Sequence, residues 1–268
     1  MLKEITEWHL LPSSIETLEN ELLSRDFFNY ALEVTNSRTE LILYTDDENF
    51  VKEILELTQS QLLEKKASRV EQWFKYMKLE PFEIAKDVWI DPTGKLRKSG
   101  AIVVKMKPSA AFGTGDHPTT ALAAKFLVDH VRRSCSVLDV GCGTAILSII
   151  AKKLGARKVL AVDNDPVAVD VAREFVRKNR VKVDVTLSDL LTNVQGKYDL
   201  VVANILTPVI MNLIRQIEKV TYSDSILIVS GIPLKDDEII KAEFTKKGFT
   251  ILSEGEMQNW KAYAVKIC

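Results

Sequence analysis

The stretch VLDVGCGTAIL, Val137 to Leu147, sets a carboxylate two residues before a Gly-x-Gly turn and an apolar run after it. An apolar strand, a glycine turn and a helix in that order let a backbone approach a nucleotide-like ligand closely. The dinucleotide fingerprint needs a third glycine at the sixth position, where this chain has Ile146. A pyrophosphate at the helix start would also meet Asp139, whose charge suits an ammonium group instead. The next apolar run, KVLAVD, ends in Asp163, a carboxylate able to take both hydroxyls of a ribose. Adenosine with an amino-acid tail and no phosphate describes S-adenosylmethionine. Asp139, Gly141, Gly143 and Asp163 are therefore read as its binding residues, and methyl transfer as the chemistry.

Two more polar residues end apolar runs. Asp189 follows the third run and has two readings, a partner for the adenine amine or a polar turn residue. Asn204 ends the fourth, YDLVVANI, at the carboxyl edge where open α/β sheets bind ligands. Its side-chain oxygen could accept an N–H from a nitrogen nucleophile, which makes it the candidate catalytic residue. The competing reading is an Asx turn capping the helix that begins near Pro208. Asp165-Pro166 reads as a helix cap with proline in the first turn.

These residues need a scaffold, and glycine usage divides it. All eleven glycines lie from Gly94 onward. Residues 1–58 read as a β-α-β-β-α domain. Its first helix, SSIETLENELLSR, carries Ser13 and Glu16 at capping-box spacing and Ile15, Leu18, Leu22 and Leu23 on one face. Asp46 or Asp47 then caps a breaker-free segment running to Leu79. It predicts one long helix, with 59–80 as a linker and Ala67-Ser68 the point for a break. Within the third domain, 81–268, FEIAKDVWI and GAIVVKMKP read as a hairpin around Asp91-Pro92-Thr93-Gly94. From Pro118 onward helices alternate with short apolar strands, the pattern of a mostly parallel sheet covered on both faces. FTILSEGEM and NWKAYAVKI close the chain as an antiparallel pair. The fold class is α/β and Rossmann-like.

Composition removes several other functions. The net charge of −1 gives no global case for nucleic-acid or membrane binding. Cys135, Cys142 and Cys268 are too scattered for a disulfide framework, and His9, His117 and His130 add no metal-ligand spacing. No structural metal is expected. A charged N-terminus and the absence of a membrane-length apolar run predict a cytoplasmic protein.

A second glycine-rich stretch, MKPSAAFGTGDHPTTAL (Met106 to Leu122), precedes the first by about twenty-five residues. Joined to DVGCGTAILSI, AVDNDP and VANIL, its core AFGTGDHPTT resembles a family within the class I S-adenosylmethionine-dependent methyltransferases. That family methylates large-subunit ribosomal protein eleven. The resemblance runs from about Pro81 to the C-terminus, and the N-terminal module matches the family's substrate-recognition domain in type. It implies methylation of lysine side chains and/or the N-terminal α-amine of that protein, free or in the ribosome. S-adenosylmethionine is the implied cofactor, S-adenosylhomocysteine the product. Thr120 is carried over as a cofactor contact, alongside Gly141, Asp163 and Asn204. Phe112 and Gly113-Thr114-Gly115 would form a lid, and His117 is read as structural rather than as a base. The chain departs from the family at Ala145, where many relatives carry glycine, and at Thr207-Pro208, which follows Asn-Ile-Leu. The alternative function is a class I methyltransferase acting on a nucleic-acid base or a small amine.

Overall fold

A computed structural model describes residues 4–25, 30–34, 38–69, 80–106, 115 and 117–268. The chain divides into two compact units, Met1–Met77 and Lys78–Cys268.

The first unit runs β1 (Glu4–Leu11), α1 (Ile15–Ser24), β2 (Tyr30–Val34), β3 (Thr39–Tyr44), α2 (Glu48–Thr58) and β4 (Gln61–Arg69). Its strands form one antiparallel sheet in the order β2-β3-β1-β4. Alternate strand positions Trp8, Leu10, Leu41 and Leu43 meet Leu18 and Leu22 of α1 and Val51 and Ile54 of α2 in one buried core. Asp47 caps α2 by accepting the Phe50 N–H at 3.0 Å, while Asp46 accepts from the Thr6 N–H and hydroxyl. At α1 the Ser14 hydroxyl accepts the Thr17 N–H, and Ser13 instead donates to the Thr58 carbonyl at 2.6 Å.

The expected long helix stops at Thr58. Gln59 turns left-handed at φ 52°, and the first part of the helical linker, Gln61–Arg69, is the edge strand β4. Glu64, Lys65 and Lys66 mimic a polar helix face, yet edge strands carry charge to prevent further pairing. β4 completes a βαββαβ unit whose last strand the sequence pattern concealed. Residues 70–79 of the linker lie outside the described residues.

The second unit begins with a three-stranded sheet, β5 (Phe82–Ala85), β6 (Val88–Asp91) and β7 (Ile102–Lys105). The hairpin turn is at Lys86-Asp87 rather than at Asp91–Gly94, and β7 lies parallel to β6. A parallel neighbour requires a long return, and Asp91 organises its start. The buried Asp91 carboxylate accepts the N–H groups of Thr93, Gly94 and Leu96 and the Thr93 hydroxyl.

The main sheet comprises β8 (Ser136–Val140), β9 (Lys158–Asp163), β10 (Asp184–Leu187), β11 (Tyr198–Asn204), β12 (Thr221–Pro233), β13 (Thr250–Met257) and β14 (Trp260–Lys266). Their order is β10-β9-β8-β11-β12-β14-β13. The first five are parallel, and β14 runs antiparallel to both neighbours. Leu200 and Val202 of β11 enter a core with α3 (Pro118–His130), α4 (Ile146–Lys153) and α5 (Pro166–Lys178). Val201 and Ala203 enter a second core with α6 (Thr207–Gln216) and α7 (Asp237–Lys246). Burial on both faces explains the near-continuous apolar strands. β8 leads outward through β9 to β10 and β11 through β12, so the order reverses between β8 and β11. Ligands bind in the crevice at such a switch point, outside the carboxyl ends of the strands.

Candidate active site

At the end of β8 the chain makes three left-handed residues, Gly141 (φ 70°), Gly143 (φ 52°) and Ala145 (φ 60°). The N–H groups of Gly141 and Cys142 both donate to the Val162 carbonyl, fastening the loop to β9. The Gly143 N–H donates to Asp163 Oδ2 at 2.8 Å, and the Asp165 N–H to Asp163 Oδ1 at 3.0 Å. Each Asp163 oxygen keeps a second lone pair for a ligand hydroxyl. Gly141 cannot carry a side chain, because a Cβ there would stand 2.4 Å from Ile205 Cγ2. The loop is thus pressed between the ends of β9 and β11.

Asp139 is 1% exposed, and the Ser148 N–H and hydroxyl both donate to its Oδ2. Its Oδ1 has no hydrogen-bond partner among the described residues. Burial pushes the carboxyl up to about 7, against which the Ser148 bonds act only partly. A half-satisfied buried carboxylate is a poor structural element and a good seat for an ammonium group. The Gly141 cradle, the Asp163 carboxylate and this orphaned oxygen together fit S-adenosylmethionine, and the two acids repel a pyrophosphate.

The other glycine-rich stretch, Met106 to Leu122, meets this loop at Gly115. Gly115 is buried at φ 95°, and a Cβ on it would come within 2.9 Å of Ile146 Cδ1 at the start of α4. His117 caps α3, hydrogen-bonding the Thr119 N–H at 3.3 Å and its hydroxyl at 2.7 Å, with Pro118 in the first turn. Its ring meets Trp260 edge-on at 5.2 Å. The Thr119 carbonyl accepts from Ser230 of β12 at 2.8 Å. Asn204 Nδ2 donates to the buried Thr120 hydroxyl at 3.4 Å. The structure therefore joins Thr120 to Asn204 and Gly143 to Asp163, with Ile205 touching the Gly141 position. Phe112, Gly113 and Thr114, expected to form a lid, lie outside the described residues.

Asn204 does not cap α6. That helix starts at Thr207 with Leu206 in the cap position and no side-chain cap. Asp189 behaves differently from the others: it is exposed in the turn after β10, and its backbone carbonyl accepts the Thr192 N–H. Asp165 caps α5 through the Val167 N–H.

A family model described as ribosomal protein L11 methyltransferase (PrmA) matches residues 9–267. The chain belongs to this family. A ribosomal protein L11 methyltransferase of Thermotoga neapolitana is 41% identical over 258 residues, 96% of each chain. One of Thermotoga maritima is 40% identical over 262 residues, 96% of this chain and 97% of the relative. The crystal structure of a ribosomal protein L11 methylase from Lactobacillus delbrueckii subsp. bulgaricus superposes with a TM-score of 0.65 at 29% identity. That match covers 70% of this chain and 99% of the other.

Sequence reasoning missed residues that hold this candidate site in place. Ser148 fixes Asp139. Gly231, at φ 89°, leaves room for the Ile205 carbonyl, 2.5 Å from where its Cβ would stand, and for Asn204 Oδ1 at 3.3 Å. Ser230-Gly231 ends the apolar run SILIVSG, so the logic that found Asn204 would have found this pair too.

Proposed function

We propose that this member of the L11 methyltransferase family methylates amino groups of ribosomal protein L11, lysine side chains and/or the N-terminal α-amine, with Asn204 presenting the acceptor. The observation that carries the proposal is Asn204 at the end of β11, with Nδ2 directed to Thr120 and Oδ1 available to accept. When bound, S-adenosylmethionine supplies a sulfonium methyl with a neutral leaving group, S-adenosylhomocysteine. Asp139, Gly141, Gly143 and Asp163 would hold it, and Thr120 reaches it through the start of α3. Asp189, exposed, takes the outer position beside the adenine. The acceptor nitrogen must be uncharged to attack, whereas free lysine has a pKa of about 10.4 and an α-amine about 8. Desolvation beside Ile205 and Leu206 favours the neutral form. Asn204 Oδ1 accepts one N–H and so aims the lone pair; positioning supplies most of the acceleration. The proton is lost to solvent, and no dedicated base is required. Family membership does not favour the alternative of a nucleic-acid base or small amine. We place the reaction in the cytoplasm, on free or ribosome-bound substrate, without direct nucleic-acid contact. Among the described residues no helix is long and apolar enough to cross a membrane.

The test is intact-mass analysis of L11 incubated with enzyme and cofactor. Asn204→Ala should lower turnover by about a hundredfold, the scale of a misplaced reactant, with cofactor affinity nearly unchanged. Normal turnover would remove Asn204 from the chemistry.

The N-terminal domain, 1–58, extended by β4, is proposed as the L11-docking module. Docking raises the effective concentration of the target amine. A truncation beginning at Lys78 should keep cofactor affinity and slow peptide methylation yet lose roughly tenfold or more on intact L11. Equal activity on intact L11 would make the module a stabilising appendage.

A further inference from the structure

The proposed function gives Asp139 and Asn204 tasks but leaves Thr207, part of one of the two departures from the family pattern, without one. Thr207 opens α6 three residues beyond Asn204 and is 6% exposed. Its Oγ1 is buried without a hydrogen-bond partner among the described residues. A threonine at a helix start normally turns its hydroxyl onto the free backbone groups of that turn. This one does not, and Pro208 beside it contributes no N–H. A buried hydroxyl left unpaired costs the folded state and calls for an explanation beyond packing. The location supplies one. Asp139 Oδ1 and Thr207 Oγ1 both lie just at or beyond the carboxyl ends of β8 and β11, the adjacent strands that flank the switch point. The first orphan stands beside the glycine loop proposed to hold the cofactor, and the second belongs to the residue that opens α6, three positions after Asn204.

An attacking primary amine carries two N–H bonds and one lone pair. Asn204 Oδ1 takes one N–H, and a single hydrogen bond leaves the nitrogen free to swivel. A hydroxyl has two acceptor lone pairs. We propose that Thr207 Oγ1 accepts the second N–H, so that Asn204 and Thr207 together aim the lone pair of an unmethylated amine. The inference rests on Asn204 facing the acceptor, and it has a consequence that a packing role lacks. A primary amine offers two N–H bonds, a monomethylamine one and a dimethylamine none. The contribution of Thr207 must fall in that order.

The experiment uses full-length enzyme and lysine peptides of the substrate carrying a free, monomethylated or dimethylated amine. Single-turnover rates are read by mass spectrometry, with thermal midpoint and calorimetric cofactor affinity measured alongside. Thr207→Val should slow transfer about tenfold on the free amine and about threefold on the monomethylated one, and leave the dimethylated one unchanged. Thr207→Ser should restore the free-amine rate. The thermal midpoint of Thr207→Val should hold or rise, since an unpaired hydroxyl is exchanged for a methyl. Equal slowing on all three amines, no slowing at all, or a lowered midpoint with normal rates would overturn the proposal. Asn204→Ala separates the two readings. If it slows the free amine and Thr207→Val does not, only the Thr207 role falls; if Asn204→Ala is normal on every amine, the underlying reading falls.

Discussion

The two edges of the main sheet are built on opposite terms. At the amino-terminal edge every prominent buried polar group is paired. Ser136 donates to Asp199 Oδ2 through both its N–H and its hydroxyl at 2.7 Å, and the Asp199 N–H donates back to Ser136 Oγ. Asn179 accepts the Lys105 N–H and donates to the carbonyls of Lys105 and Phe175. Lys152 closes the end of α4 on the Ala156 and Arg157 carbonyls. At the carboxyl edge two buried oxygens, Asp139 Oδ1 and Thr207 Oγ1, stand without partners among the described residues. Consistency marks the structural edge. Incomplete pairing marks the edge proposed to take ligands.

The largest expected effect tests the half-satisfied carboxylate. With Asp139 raised from 3.8 to about 7, the folded protein keeps a proton that the unfolded chain has already released between those values. Stability from this group is full below about pH 4 and lost as the pH rises through about 7. Asp139→Asn should abolish that window. At pH 8 the cofactor-free variant should exceed the parent by on the order of 3 kcal/mol in urea denaturation. Its affinity for S-adenosylmethionine should fall roughly tenfold or more. A variant less stable than the parent at pH 8 would erase the contrast between the edges.

The mirror-image experiment is Asn179→Ala at the other edge. Two backbone groups of Lys105 lose their partners, at about 1–3 kcal/mol each. Stability should drop and cofactor affinity should not move; calorimetry showing weakened binding would mean the edges are coupled.

The smallest effect concerns Ala145, fully buried and left-handed at the start of α4. Glycine there would relieve about 1–2 kcal/mol of backbone strain and lose about 0.5–1 in chain entropy. A gain below about 1 kcal/mol is expected for Ala145→Gly. A clear loss would show that the methyl group packs well enough to justify the strained backbone.

Legibility followed the same division. Polar residues at the ends of apolar strands, Asp139, Asp163 and Asn204, stood out because a strand buried on both faces has no other use for them. Asp189 stood out by the same rule, yet it lies exposed in a turn, because β10 is an edge strand and its end is open to solvent. β4 was illegible because Glu64, Lys65 and Lys66 on an edge strand have the composition of a helix surface. The hairpin around Asp91 was misplaced because a turn-forming sequence does not say whether the chain reverses or crosses back.

By itself, the sequence determined the type of sheet, the glycine loop after β8 and the strand-end acids, since these depend on local backbone conformation and on apolar periodicity. The pairing of Thr120 with Asn204, the closure of Gly141 on Ile205 and the orphaned oxygens of Asp139 and Thr207 were decided only in the tertiary structure. They join residues up to 84 positions apart. Strand order sets such contacts, and strand order is a property of the packed sheet that no local pattern encodes.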